Sequence, residues 1–231
     1  MKNKNSKAFT LAEVLITLGI IGIVAALTIP SLMTHFKKIR TVAQLKESYS
    51  IMQQAIKLSQ EDNGDTDSWD TNLDGHEFFQ KYFANYLKWQ HEYTLSEINS
   101  IAPHYFLHGG AYTGGFYNRG SSHFVLINGS LISIKKDETF GDIMVVIDTN
   151  GISKPNRMGI DSFMFIFTPE YGLRPWGDKG TMQTEAFGTY NRNKILSTSH
   201  YASCNKSKEG KWCTALIIQD GWKISNDYPW K

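Results

Sequence analysis

The chain has little cysteine and lacks the short motifs that mark common enzyme classes. Only two of its 231 residues are cysteine. Cys204 and Cys213 are spaced more widely than a thioredoxin-like C-x-x-C pair, and they lack the second pair that a zinc site needs. In an oxidising compartment they would form one disulfide. No G-x-S-x-G, H-E-x-x-H or P-loop motif occurs, so we predict that the chain is not an enzyme.

Long runs of basic residues are also absent. The 24 Lys and Arg residues nearly balance the 22 Asp and Glu residues, which leaves a formal net charge of +2. Binding to nucleic-acid phosphates needs clustered Lys and Arg side chains. We therefore expect no nucleic-acid partner and favour a protein partner.

One long apolar run is present near the N-terminus. From residue 9 to 29 every side chain is apolar, small or hydroxylated, except that of Glu13. At a helical rise of about 1.5 Å per residue, this run is long enough to cross the roughly 30 Å hydrocarbon core of a bilayer. Three lysines precede it, Lys2, Lys4 and Lys7. The positive-inside rule therefore places the N-terminus in the cytoplasm and the body of the chain across the membrane.

The apolar run continues into an amphipathic helix. Between residues 32 and 56, apolar side chains recur at every third or fourth position. Pro30, which lies between the two halves, removes one helical hydrogen bond and should kink or loosen the helix. We predict a transmembrane helix over residues 9–30, an amphipathic continuation over 31–64 and a globular domain over 65–231.

Glu13 is the one carboxylate in the apolar run. A carboxylate near the centre of a span costs on the order of 3 kcal/mol, and less near an end, where Glu13 lies. One explanation is that its side chain reaches the lipid headgroups. The other is a cation at the same depth, because a cut before Phe9 would create an amino group one helical turn from Glu13. The residues alone leave both explanations open.

The stretch KAFTLAEVLITLGIIGIVAALTIP resembles the N-terminal segment of type IV pilins and type II secretion pseudopilins. The shared features are a short basic leader, a peptidase site, Phe as the first mature residue, a Glu four residues later, an apolar helix and a Pro. The resemblance implies that residues 1–8 are a leader peptide, that the chain is cut between Ala8 and Phe9, and that Phe9 is N-methylated. It also implies that Glu13 pairs with the N-terminal amine of an adjacent subunit and that Pro30 belongs to the assembly segment.

The same resemblance implies partners and a location. The partners would be prepilin peptidase, homologous pilin or pseudopilin subunits and an inner-membrane assembly platform. The protein would be a single-pass inner-membrane protein with a cytoplasmic N-terminus and an extracytoplasmic body. It would later lie in a filament in the periplasm or at the cell surface.

We favour a structural subunit of a type IV pilus or a type II secretion pseudopilus. One alternative is a minor or tip subunit that binds a surface ligand or DNA, with four aromatic residues as contacts: Trp176, Tyr190, Tyr201 and Trp212. Another is a signal-anchored extracytoplasmic enzyme or sensor, in which Glu13 would be incidental. The sequence does not distinguish secretion from adhesion, motility or DNA uptake.

The pattern of the body predicts a helix followed by a sheet. Aromatic residues on one face predict a helix over 77–89. Alternating strands on both sides of Asn128-Gly129 predict a hairpin, and 143–148 and 162–168 predict two more strands. A last hairpin is predicted around Asp220-Gly221. The fold class is therefore α+β and pilin-like, with the long N-terminal helix packed on a C-terminal antiparallel sheet.

The loop DTNGISKPNRMGID joins two of these strands and is rich in oxygen-bearing side chains. It resembles the C-terminal region of major pseudopilins, some of which bind calcium in a nearby loop. Asp148, Asn150 and Asp161 would supply part of the six to eight oxygens that Ca²⁺ prefers. The alternative is a turn held by hydrogen bonds from Asp and Asn side chains to the backbone. Calcium is therefore the one cofactor that the sequence suggests.

Overall fold

A computed structural model of the chain describes residues 10–112, 120–138, 141–178, 181 and 190–230. The chain divides between Arg40 and Thr41 into two compact units. Helix α1, from Leu11 to Asn63, contributes residues to both units.

The first unit consists of the N-terminal part of α1. No residue from Leu11 to Arg40 is buried. This part is long enough and apolar enough to cross a membrane. The helix is continuous through Pro30 and is not interrupted there.

Threonine side chains in this part of α1 satisfy their hydroxyl groups within the helix. Thr17 Oγ1 donates to the carbonyl of Val14 at 3.0 Å, and Thr28 Oγ1 donates to that of Val24 at 2.8 Å. Thr34 Oγ1 donates to the carbonyl of Pro30 at 2.9 Å. These internal bonds remove the cost of an unsatisfied hydroxyl in hydrocarbon.

The second unit contains a six-stranded antiparallel sheet in which every strand pairs with the next one along the chain. Its strands are β1 Trp89–Tyr93, β2 Ser122–Leu126, β3 Leu131–Lys136, β4 Ile143–Asp148, β5 Ser162–Thr168 and β6 Gly172–Pro175. The helices described beside it are α2 Gly75–Tyr82, α3 Leu95–Ile101, α4 Arg192–Leu196 and α5 Cys213–Gln219, with a 3-10 turn at Thr66–Ser68. The α+β class predicted from the sequence is confirmed.

The C-terminal part of α1 packs on this sheet through a buried stripe. The stripe follows three- and four-residue spacing and consists of Val42, Leu45, Ser48, Met52, Ala55, Ile56 and Ser59. The Tyr49 ring stacks on Phe165 with centroids 5.3 Å apart. Gln53 Nε2 donates to the carbonyl of Leu173 in the edge strand β6 at 2.9 Å. The predicted amphipathic helix is therefore present, and it also satisfies part of a sheet edge.

A polar cluster joins α1 to the β2–β3 hairpin. The buried hydroxyls of Ser48 and Ser130 lie 2.8 Å apart, and Asn128 Nδ2 donates to Ser48 Oγ at 3.1 Å. Gly129 has a φ of 87°, which glycine adopts without strain. The predicted hairpin around Asn128-Gly129 is confirmed, and its tip is fixed against the helix.

The predicted helix over 77–89 is wrong in its extent. Helix α2 begins after Asp74, whose side chain forms a capping box with Glu77, and it ends at Tyr82. Trp89 instead begins β1. The aromatic residues beyond Tyr82 reflect burial in the core, because Phe83 is fully buried without being helical.

The predicted C-terminal hairpin is also wrong. Residues 213–219 form α5, and Asp220-Gly221 ends this helix, with Gly221 at a φ of 75°. All residues from 213 to 217 are buried. A short helix that is apolar on every side has no helical periodicity, so its sequence resembles that of a buried strand.

Candidate functional site

Glu13 caps the start of α1. Thr10 donates to Glu13 Oε2 from its backbone N–H and from its hydroxyl, each at 2.8 Å. In return the backbone N–H of Glu13 donates to Thr10 Oγ1 at 3.3 Å. The carboxylate therefore satisfies polar groups at the helix end that would otherwise lie unpaired. The predicted processing residues, Ala8 and Phe9, lie outside the described residues.

This capping role was missed in the sequence, although the signal for it was there. Thr-x-x-Glu before an apolar run is the pattern of a capping box. The chain uses the same pattern at α3, where Thr94 N donates to Glu97 Oε2 at 2.8 Å and Glu97 N donates to Thr94 Oγ1 at 3.3 Å. Glu13 thus has a structural function within one molecule, in addition to any function between molecules.

The loop between β4 and β5 contains two buried carboxylates. Asp148 is fully buried and accepts hydrogen bonds from Ser162 Oγ at 2.5 Å and from the backbone N–H of Asn150 at 3.2 Å. Asp161 accepts from the backbone N–H groups of Asn156 at 2.9 Å and Arg157 at 2.6 Å. The predicted loop residues therefore act as acceptors for groups of the protein itself.

His104 joins this cluster and was not assigned to it from the sequence. Its Nε2 lies 3.2 Å from Asp148 Oδ2, and its Nδ1 lies 2.9 Å from the carbonyl of Ala102. Nδ1 donates to this carbonyl, so the Nε2 atom faces the Asp148 carboxyl group. Burial raises the pKa of Asp148, while His104 opposes that rise. Burial, followed by the charge of Asp148, raises the pKa of Asp161 to about 7.

The geometry of this loop favours the turn over the calcium site. The Asn150 N–H to Asp148 Oδ1 bond is an Asx turn, and Asn150 Nδ2 donates to the carbonyl of Lys154 at 3.3 Å. Within the described ranges, no three His, Cys, Asp or Glu side chains are grouped so that they could hold a metal ion. One oxygen of the predicted set, Asn150 Oδ1, is buried without a hydrogen-bond partner. Calcium binding stays a prediction.

The raised pKa of Asp161 predicts a pH-dependent stability. As pH rises from its ordinary pKa of 3.8 to about 7, the unfolded chain releases this proton first, and the folded state loses stability. Asn has no such proton. The free energy of unfolding of the wild-type protein, measured relative to that of Asp161→Asn, should therefore fall by at least about 1 kcal/mol as the pH rises from 4.5 to 8. Urea unfolding of the full chain in detergent measures this change, and Asp67→Asn, at an exposed position, is the matched control. A constant difference for Asp161→Asn would contradict the assignment.

Two of the four aromatic residues considered as ligand contacts belong to the core. Trp176 and Trp212 are each 2% exposed, whereas Tyr190 is half-buried and Tyr201 is 45% exposed. Both tryptophans are therefore buried in the core, and neither is exposed at the surface for contact with a surface ligand or DNA. The cysteines of the same region, Cys204 and Cys213, form a buried disulfide.

Comparisons with protein families give the affiliation of the chain. Residues 31–231 match the model of a family of unknown function (DUF6613). The chain belongs to this family. Residues 3–29 of this DUF6613 member match the prokaryotic N-terminal methylation motif, which is typical of type IV pilins and pseudopilins. No curated protein and no solved structure matches the chain.

The methylation motif overlaps the N-terminal part of α1. The motif ends at residue 29, within the part of α1 that is apolar and unburied. This combination indicates a membrane-anchored, pilin-like protein. The motif also implies processing by prepilin peptidase and assembly with pilin subunits.

Proposed function

We propose that this DUF6613 protein is a structural subunit of a type IV pilus or a type II secretion pseudopilus. The observation that carries the proposal is the methylation motif over residues 3–29, which overlaps the apolar N-terminal part of α1, where no residue from Leu11 to Arg40 is buried. Prepilin peptidase cuts between Ala8 and Phe9, Phe9 is N-methylated, and α1 then serves as membrane anchor and as filament core. The N-terminus is cytoplasmic, and the body is extracytoplasmic.

The capping geometry of Glu13 is compatible with a bond to a second subunit. Both Thr10 donors use Oε2, which leaves Oε1 outside this pair of hydrogen bonds. In a filament, Oε1 would accept from the ammonium group of a neighbouring Phe9. A carboxylate in lipid is costly when alone, and an opposite charge at the same depth offsets that cost. The capping bonds would hold the side chain in place for that partner.

A structural role requires no catalytic group. The methylation motif is typical of pilin-type proteins, which usually have no enzymatic activity. The buried cluster of His104, Asp148 and Ser162 is consistent with this role, because each of its hydrogen bonds connects parts of the fold. We therefore propose assembly partners, namely other pilin or pseudopilin subunits and an inner-membrane platform, rather than a substrate.

Mass spectrometry of the mature N-terminus tests the proposal. The protein purified from its membrane should begin at an N-methylated Phe9, and a strain without prepilin peptidase should accumulate a form that begins at Met1. The cut is expected because the resemblance to pilin N-terminal segments implies a peptidase site between Ala8 and Phe9, and these residues lie within the stretch that matches the methylation motif. Retention of Met1 in wild-type cells, or cleavage beyond Ile29, would overturn the proposal.

A further inference from the structure

The ammonium group of Lys211 lies among four aromatic rings, which we call the Lys211 box. Lys211 Nζ is 5.4 Å from the ring centroid of Phe106, 5.5 Å from that of Tyr112, 5.2 Å from that of Trp176 and 5.1 Å from that of Tyr201. Lys211 is only 9% exposed. A cation is attracted to a ring face at centroid distances within about 6 Å, so all four rings act on one charge.

Three separate segments of the chain build the Lys211 box. Two rings come from the loop after α3, one follows β6, and one, that of Tyr201, comes from the segment before the disulfide-bonded Cys204. Backbone bonds hold these segments together: Leu107 N donates to the carbonyl of Glu209 at 2.9 Å, and Glu209 N donates to that of Tyr201 at 2.9 Å. None of these bonds involves the lysine side chain. The rings are therefore positioned independently of the cation that they surround.

One carboxylate completes the site. Glu209 Oε2 lies 2.6 Å from Lys211 Nζ and is itself half-buried. Burial, and next the charge of Glu209, raises the pKa of Tyr112. The Tyr112 phenol therefore stays neutral at physiological pH. The box thus offers a cation several ring faces and one fixed negative charge, away from most of the solvent.

The four ring faces of the box suit an alkylated ammonium group as well as a primary one, although only a primary one can donate a hydrogen bond to Glu209 Oε2. A lysine ammonium is compact and strongly hydrated, so it loses much hydration on entering the box. A quaternary ammonium has no N–H group and loses less water, and aromatic cages are the usual protein sites for such groups. Tyr201 is 45% exposed and forms a wall of the box that faces solvent.

We propose that the Lys211 box is a binding site for quaternary ammonium groups, such as the trimethylammonium group of choline, which compete with the side chain of Lys211. Binding moves the lysine ammonium from the box into solvent and changes no covalent bond. Lys211 is then an internal occupant that keeps the site closed in the absence of ligand. The inference does not depend on filament assembly.

Amine acylation of the wild-type protein tests this competition directly. The full chain is kept in a maltoside detergent, which contains no quaternary ammonium, and is titrated with choline chloride. Mass spectrometry follows the acylation rate of Lys211, with Lys206 and Lys208 of the same loop as internal controls. Saturating choline should raise the Lys211 rate by about tenfold while the two controls stay constant, because the reactive population follows displacement from the box. A Lys211 rate that equals the rate in matched sodium chloride would overturn the proposal.

A variant pair provides the second test. Lys211→Ser should bind choline about tenfold more tightly than wild type, because no internal cation has to be displaced. The matched control, Lys208→Ser, should bind like wild type, and adding Tyr201→Ala to Lys211→Ser should weaken binding. Calorimetry measures the affinity, and near-ultraviolet circular dichroism reports the fold. A folded Lys211→Ser that binds no choline would overturn the proposal; if the variant does not fold, the acylation experiment decides.

Discussion

Glu13→Ala and Glu13→Gln should both abolish filament assembly while the protein remains folded, cleaved and inserted in the membrane. Both variants remove the negative charge that would pair with the ammonium group of a neighbouring Phe9. An unpaired charge near the end of a span costs up to about 3 kcal/mol, so the paired state is favoured by a factor of up to about 100. Sheared filaments from cells that express each variant, quantified by immunoblot, should show a loss of about that size.

The Gln variant separates charge from capping. Gln also serves at the third position of a capping box, so Glu13→Gln keeps the bonds to Thr10 and loses only the charge. Thr10→Ala does the reverse, since it removes the capping hydroxyl at a cost of about 1 kcal/mol and keeps the carboxylate. We expect filaments from Thr10→Ala and none from Glu13→Gln. Normal filaments from Glu13→Gln would show that Glu13 acts as a helix cap and not as an intersubunit anion.

Asp148→Ala should lower the free energy of unfolding by about 3 to 5 kcal/mol. The carboxylate is fully buried, and its removal takes the acceptor from Ser162 Oγ and the Asn150 N–H and breaks the 3.2 Å contact with His104 Nε2. Each buried donor without a partner carries a desolvation cost of about 1 to 3 kcal/mol. Asp148→Asn keeps one oxygen and the volume of the side chain, so its cost should be smaller.

Urea unfolding of the full chain in detergent, followed by tryptophan fluorescence, measures this loss. Asp67 is exposed, and Asp67→Ala is the matched control, with an expected change of about 0.5 kcal/mol or less. A loss as small as that of the control would show that the His104–Asp148 contact is not important for folding.

The Asn variant at Asp148 also tests calcium. If Asp148, Asn150 and Asp161 bind Ca²⁺, calorimetric titration of the full chain with calcium chloride should give a heat of binding that Asp148→Asn greatly reduces, because the variant removes one of the two carboxylates and Ca²⁺ affinity depends on the charge of its ligands. The absence of heat in the wild-type protein would refute the calcium hypothesis. It would leave the hydrogen-bonded turn as the function of these residues.

The strands of the sheet could be predicted from the sequence because their signals are local. The β-branched and aromatic residues of β4 and β5 and the Asn128-Gly129 turn are signals carried by neighbouring residues, and the structure has these elements at the predicted positions. Helix α5 was wrongly predicted as part of a hairpin. Its burial on all sides removes the periodicity that distinguishes a helix from a strand. The predicted end of α2 was wrong because Phe83 continues the apolar pattern beyond the last helical residue, Tyr82.

The candidate sites divide in the same way. Thr10 and Glu13 form a capping box within a four-residue Thr-x-x-Glu motif, so this contact could have been predicted from the sequence. The partnership of His104 with Asp148 could not, because only the folded chain brings a loop after α3 to the end of β4. The Lys211 box likewise depends on three distant segments, and no local pattern indicates it.

Within the second unit, the contacts between the C-terminal part of α1 and the sheet determine how mechanical tension on that part of the helix would enter the sheet. Ser48 bonds to the tip of the β2–β3 hairpin, and Gln53 bonds to the carbonyl of Leu173 in β6. A pull along the helix axis would load both bonds at once, one near the middle of the sheet and one at its edge. Sliding by one helical turn would break them together, so the helix and the sheet should bear a stretching force as a single piece.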